Sequence, residues 1–254
     1  MSTLPPEYFD AVYAGADDPW GFTDRWYEAR KRALTLAALP HPRYRAALEP
    51  GCSIGVLTAE LAGRCEHVLA TDVAPAALRA ARERVDAAGV GERVTLRRSA
   101  IGDGWPQGPF DLVVLSEVLY YLDGADLRVA LDALPAVLAP GATVLGVHWR
   151  HPVADHPQGG DAVHAALRAT PGLHRLGGWS DDDVVLDVLV AGPDTRSVAA
   201  RAGLADPAPT AAGAPPPGRP DRVAAGPRRG GPDVTVTDGG RPGAGPDAGR
   251  AGSA

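Results

Sequence analysis

Lysine is all but missing from this chain. Of its 25 basic residues only Lys31 is a lysine; the rest are arginines that form no cluster, and the formal net charge is −6. A nucleic-acid partner would need a basic face, so that class is set aside. Long apolar runs are missing too. Nowhere do eighteen apolar residues follow one another, so no membrane-spanning segment is expected. Asp10, Asp17 and Asp18 interrupt the first twenty residues, and no secretory leader is expected. Cysteine is limited to Cys52 and Cys65, which form no metal-like pair and fit a reducing, cytosolic setting. From 205 to 254 there is no Leu, Ile, Met or aromatic residue. Such a segment cannot bury enough apolar surface to offset backbone ordering, so a disordered Ala/Gly/Pro-rich tail is expected there.

What is present suits one α/β domain: 254 residues, 45% hydrophobic and 22% charged. Residues 1–42 carry Tyr8, Phe9, Tyr13, Trp20, Phe22, Trp26 and Tyr27 around an Asp-Pro-Trp-Gly-Phe turn and read as an N-terminal helical lid. One helix is expected over 25–39, with Trp26, Ala29, Ala33 and Leu36 on its inward face. Over 43–204, short apolar strands (44–48, 67–71, 94–98, 110–116, 142–148) alternate with helices (56–64, 75–88, 125–138). A short helix from Asp161 and strands at 174–179 and 184–191 follow, with Asp181–Asp183 as a solvated turn. That alternation implies βαβ units and a mostly parallel sheet.

The central signal runs from Ala46 to Thr58, where an apolar strand meets Glu49-Pro50-Gly51-Cys52-Ser53-Ile54-Gly55 and a helix follows. Gly51 permits a sharp turn and close approach of the backbone to a ligand; Gly55 lets the helix start pack closely. The pattern is E-x-G-x-x-x-G and not G-x-G-x-x-G, so the loop is not tuned for a pyrophosphate. The next strand ends in Asp72, an acid placed to accept hydrogen bonds from both hydroxyls of a ribose. Loop and acid together describe an adenosine-type ligand without a diphosphate.

These residues resemble the first two motifs of class I methyltransferases. Asp18-Pro19-Trp20-Gly21-Phe22, Trp26-Tyr27-Glu28, Arg30-Lys31 and Ser116-Glu117-Val118-Leu119-Tyr120-Tyr121-Leu122 further resemble the NodS-type nodulation methyltransferases, over about residues 5–204. The resemblance implies a Rossmann-like seven-stranded sheet whose last strand is antiparallel. It also implies S-adenosyl-L-methionine as methyl donor across the first and fourth strands, and N-methylation of an amino sugar or another small amine-bearing metabolite. O-methylation is the alternative. The long tail departs from the compact family pattern. A monomer or homodimer is expected.

In such a sheet the ligand lies beyond the carboxyl ends of the strands. Donor-facing candidates are Trp20, Tyr27, Glu49, Gly51, Cys52, Ser53, Gly55, Asp72, Ala100, Ile101 and Ser116, with Ile101 against the adenine and Trp20, Trp26 and Tyr27 as cover. No acid is found after the third strand to hold the adenine amine. Catalytic candidates are Glu117, which can orient an amine or take its proton, and His148, whose ordinary pKa lies near neutrality. His148, His151 and His156 come without a carboxylate cluster, and no metal site is expected. One rival uses the same loop: Gly51-Cys52-Ser53-Ile54-Gly55 matches G-x-S-x-G, the nucleophile elbow of α/β-hydrolases. Against it, only one strand precedes Ser53 and Asp72 has no role there. A nicotinamide oxidoreductase lacks its diphosphate glycines, and a binding-only module would differ by showing no turnover.

Overall fold

The computed structural model describes residues 1–206; apart from its first two residues, the tail expected over 205–254 lies outside the described residues. Helices α1 (Pro6–Gly15) and α2 (Trp26–Ala38) lead into β1 (Tyr44–Pro50), α3 (Val56–Ala62), β2 (Cys65–Asp72), α4 (Pro75–Ala87), β3 (Val94–Arg98) and β4 (Phe110–Ser116). Then come α5 (Gly124–Ala133), β5 (Leu138–Trp149), α6 (Gly160–Arg168), β6 (Leu173–Ser180), β7 (Val184–Ala191) and the short α7 (Val198–Arg201).

The strands form one seven-stranded sheet in the order β3-β2-β1-β4-β5-β7-β6. β1 to β5 pair in parallel, and β7 runs antiparallel to both β5 and β6. The expected fold class holds, with the last strand among the described residues inserted as the antiparallel one. Strand order reverses between β1 and β4, so a crevice opens beyond their carboxyl ends at that switch point.

The central strands are built for burial on both faces. Leu112, Val113, Val114 and Leu115 of β4 are wholly buried, the continuous apolar run that a parallel strand covered by helices requires. Alternation along each strand divides the core. Ala47, Val68, Leu112 and Val114 pack with Leu57 and Leu61 of α3 and Val85 of α4. Leu48, Val113 and Leu115 pack with Leu127 and Leu131 of α5 and Val163 and Leu167 of α6. Pro75 opens α4 with its φ already helical and no N–H to strand. Asp123 caps α5, its carboxylate accepting from the N–H groups of Ala125 and Asp126. The expected helix over 125–138 stops at Ala133. Pro135 cannot donate, and the chain passes through a 3-10 turn (Leu134–Val137) into β5.

One expectation fails. In α2 the buried residues are Glu28, Lys31 and Thr35, whereas Trp26 is 77% exposed and Ala33 is exposed as well. Apolar periodicity assumes that charges point outward; here Lys31 and Glu28 pair with each other, at 2.9 Å, and Lys31 reaches a second partner inside. Among the described residues, no helix is long and apolar enough to cross a membrane.

Candidate active site

The loop between β1 and α3 is held in place by its neighbours. Gly51 has φ +68°, and a Cβ there would lie 3.0 Å from Val118 Cγ2, so the position excludes a side chain. Cys52 N–H donates to the Thr71 carbonyl at 2.9 Å, and Ser53 N–H donates to Asp72 Oδ2 at 2.9 Å. Ser53 adopts φ +51°, in the left-handed region that non-glycine residues seldom enter, and such strain concentrates at working sites. Its hydroxyl meets Tyr13 Oη of α1 at 2.5 Å. Gly55, at φ +76°, leaves room for α4: a Cβ would come within 2.9 Å of the Ala81 backbone.

Beyond the loop opens a cavity of about 600 Å³, within the range of small-molecule sites. Trp20, Tyr27, Glu49, Gly51, Cys52, Ser53, Asp72, Ala100, Ile101, Ser116 and Glu117 all line it. Asp72 is buried; its Oδ1 accepts from Ala74 N–H and its Oδ2 from Ser53 N–H, both at 2.9 Å. Burial raises its pKa, and the backbone donors hold it back. Glu49 is buried without any cation beside it, and desolvation pushes its pKa up to about 8. Its Oε2 has no hydrogen-bond partner. An orphaned carboxyl oxygen in a cavity wall is suited to an incoming cation, whose charge would draw the proton off.

Across the same cavity lies a second set. Glu117, at φ +57°, donates its N–H to the Val147 carbonyl at 2.8 Å. Its Oε1 sits 3.2 Å from Lys31 Nζ, and its Oε2 accepts from Trp149 N–H at 3.2 Å and from Tyr120 Oη–H. Lys31 Nζ lies 5.1 Å over the Tyr27 ring, and Tyr27 Oη is itself buried without a partner. His156 stacks on Tyr120 at 4.4 Å, and burial lowers its pKa.

Two nominated residues stand elsewhere. Gly55 serves helix packing and does not face the cavity. His148 is wholly buried and does not line the cavity either, so it is not positioned as a general base. Its Nε2 accepts from Leu119 N–H at 3.2 Å, and its Nδ1 faces His164 Nε2 at 3.1 Å. His164 Nδ1 in turn meets Asp187 Oδ2 at 2.7 Å. Burial, His164 and Lys31 push the His148 pKa well down and keep it neutral.

Sequence reasoning missed Tyr13, Glu28, Lys31, Tyr121 and His156 as cavity walls. For Lys31 there was a signal: a lone lysine three residues after a glutamate, on a face without apolar residues. His156 lies in a loop and offered none.

The serine-hydrolase rival loses its geometry. Among the described residues, no histidine hydrogen-bonds Ser53, whose hydroxyl partner is Tyr13. Nor do the described residues contain a group of three or more His, Cys, Asp or Glu placed to hold a metal ion.

A family model described as a methyltransferase domain matches residues 48–144, the stretch from the glycine loop through β4 into β5. Nodulation protein S of Rhizobium tropici is 35% identical over 128 residues, covering 50% of this chain and 52% of that protein. Nodulation protein S of Sinorhizobium fredii is 34% identical over 134 residues, with 52% and 61% covered. The chain thus spans little more than half the length of these curated relatives. A candidate methyltransferase solved from Pseudomonas syringae is 42% identical with TM-score 0.57, covering 65% of this chain and 99% of that one. The N-methyltransferase NodS of Bradyrhizobium japonicum, solved with S-adenosyl-L-homocysteine, is 26% identical with TM-score 0.63, covering 74% and 98%. Sheet order, glycine loop and these similarities agree: the chain belongs to the class I S-adenosylmethionine-dependent methyltransferases, and it is similar to the NodS proteins among them.

Proposed function

We propose that this protein moves the methyl group of S-adenosyl-L-methionine to the amino group of a small acceptor, an amino sugar or another amine-bearing metabolite. The donor fits the residues present. Asp72 keeps carboxylate lone pairs free beyond its two backbone bonds and would accept the ribose hydroxyls, each charge-assisted bond worth about 1.5–3 kcal/mol. The orphaned Glu49 Oε2 would take the amino-acid ammonium of the donor. Ala100 and Ile101 would cover the adenine, and Gly51 lets the backbone approach without a side chain in the way. When bound, the sulfonium supplies an electrophilic methyl carbon.

The observation that carries the amine assignment is Glu117. It is held at the carboxyl end of β4 in a left-handed conformation, its carboxylate oriented from three sides by Lys31, Tyr120 and Trp149. A carboxylate so fixed can attract an ammonium, take its proton and leave the nitrogen lone pair free for the methyl carbon. Receiving that proton contributes about 10²–10⁴-fold, and holding the reactants in line contributes several kcal/mol more. The N-methyltransferase NodS points the same way by likeness.

A hydroxyl acceptor is the second reading, supported by His156, an imidazole kept neutral by burial at the cavity wall. A panel of deacetylated chitooligosaccharides, aminoglycosides, phenols and carboxylates, incubated with labelled donor and read by mass spectrometry, decides between them. Label on nitrogen is the expected result. Transfer to oxygen alone removes the amine assignment. The buried, unpaired Cys52 and Cys65 suit a reducing compartment, and we place the protein in the cytosol.

A further inference from the structure

We propose that His148 is a positioning residue. Through a buried His148–His164–Asp187 relay it holds the turn that presents Glu117 and Tyr120, and a single added proton releases that turn. Both imidazoles and Asp187 are wholly buried, and none of the three lines the cavity. The relay ends on Leu119 N–H, in the 3-10 turn Leu119–Tyr121 that follows Glu117.

The donors and acceptors along this chain admit one proton arrangement. Leu119 N–H can only donate, so His148 Nε2 must be bare and its hydrogen must sit on Nδ1. That Nδ1–H then donates to His164 Nε2, which must be bare in turn. The His164 hydrogen therefore lies on Nδ1 and points at the Asp187 carboxylate. Asp187 is kept in its ionised form: burial opposes the charge, but bonds from His164 and Arg175 outweigh it. Arg175 Nε lies 2.6 Å from Oδ1, and an Arg168 nitrogen lies 3.2 Å from Oδ2.

Adding one proton to the pair has the same outcome wherever it lands. On His148 itself, Nε2 gains a hydrogen. On His164 Nε2, the new N–H faces His148 Nδ1, which must give up its own hydrogen to accept, and that hydrogen moves to Nε2. Either way an N–H on His148 confronts the N–H of Leu119, two donors across one contact. The turn carrying Glu117 and Tyr120 then loses its anchor. The groups that weigh on this proton come from every side. Asp187 on β7 and Asp161 on α6 attract it, with Arg175 on β6 and Arg168 on α6 countering. Lys31 on α2 repels it, and Tyr120 packs edge-on with its ring centroid 5.2 Å from that of His148.

The effect on turnover rests on the methyl-transfer reading; the tautomers do not. Long-range proton–nitrogen correlation on histidine-labelled protein at about pH 8, where unperturbed imidazoles are neutral, should place hydrogen on Nδ1 of both His148 and His164. Hydrogen on Nε2 of His148 overturns the proposal whatever the activity. His148→Gln keeps an acceptor near Leu119 but cannot titrate. On the best acceptor from the panel, the low-pH end of its kcat/KM profile should fall off with one ionisation fewer than in the native protein. His148→Leu removes the acceptor. It should lower acceptor kcat/KM about 100-fold, while the Kd for S-adenosylhomocysteine stays within about twofold. A low-pH fall of unchanged steepness in the first variant, or undiminished kcat/KM in the second, overturns the positioning role. If no acceptor turns over at all, the methyl-transfer reading fails and the nitrogen spectra alone decide the relay.

Discussion

Tyr13 and Ser53 share a hydrogen bond of 2.5 Å that ties α1 to the glycine loop, so the first helix closes the cavity over the loop. The serine hydroxyl is thereby structural. Ser53→Ala should cost about 1 kcal/mol of loop order and leave turnover within roughly fivefold of the native protein. Loss of activity together with labelling of the native protein by a serine-reactive phosphonate would restore the hydrolase reading.

Asp72 does two things at once: it accepts from two backbone N–H groups, and it faces the cavity. Asp72→Ala should weaken S-adenosylhomocysteine binding by about 2–4 kcal/mol, or roughly 30- to 1000-fold. Calorimetry with unchanged affinity would remove Asp72 from the donor site.

Glu49 makes the ligand-free protein sensitive to alkali. Its folded pKa of about 8 lies above the ordinary 4.5, so the folded state keeps a proton that the unfolded chain has already released. The stability this group allows is fully present below pH 4.5 and declines as pH rises toward 8, by at most about 1.4 kcal/mol per unit. His148 acts oppositely, its depressed pKa costing stability as pH falls below 6.5. Melting temperature should therefore fall between pH 6.5 and 8. Glu49→Gln should flatten that slope, and so should saturating S-adenosylhomocysteine. A slope unchanged in the variant assigns it to other groups.

Glu117→Gln should lower turnover on amines by about 10²–10⁴-fold with donor affinity intact, because the amide cannot take the proton. Equal loss of donor binding would show that the substitution disturbs the cavity and not the proton transfer.

Gly55→Ala is a test of packing and not of binding. The new methyl group meets the Ala81 backbone at 2.9 Å, and φ +76° strains any residue with a side chain. A destabilisation of about 1–3 kcal/mol is expected in thermal melts, without a specific loss of donor affinity in the folded fraction.

Strand positions and the glycine loop were legible because local chemistry dictates them. A run such as Leu112–Leu115 has only one place to go, and Gly51 reports a turn that no other residue makes as easily. Asp72 was legible for the same reason, lying directly at a strand end. The acceptor side was only half visible. Glu117 stands beside a strand end, but Lys31 and Glu28 were given no place in the cavity, because a helix pattern does not say that two charges will find each other inside. His148 was misplaced because a strand end shows that a residue is near the crevice but not which side of the sheet it faces. Its partners His164 and Asp187 lie far along the chain, and only the fold brings them together.

The chain's single lysine is also buried, with 5% of its surface exposed. Lys31 is therefore the one side-chain amine that this chain offers to an amine-reactive reagent, and it is sheltered while α2 stays docked. Acylation of Lys31, followed peptide by peptide against time, becomes a clock for α2 undocking from the sheet. Ligands that close the cavity would slow that clock without any engineered probe.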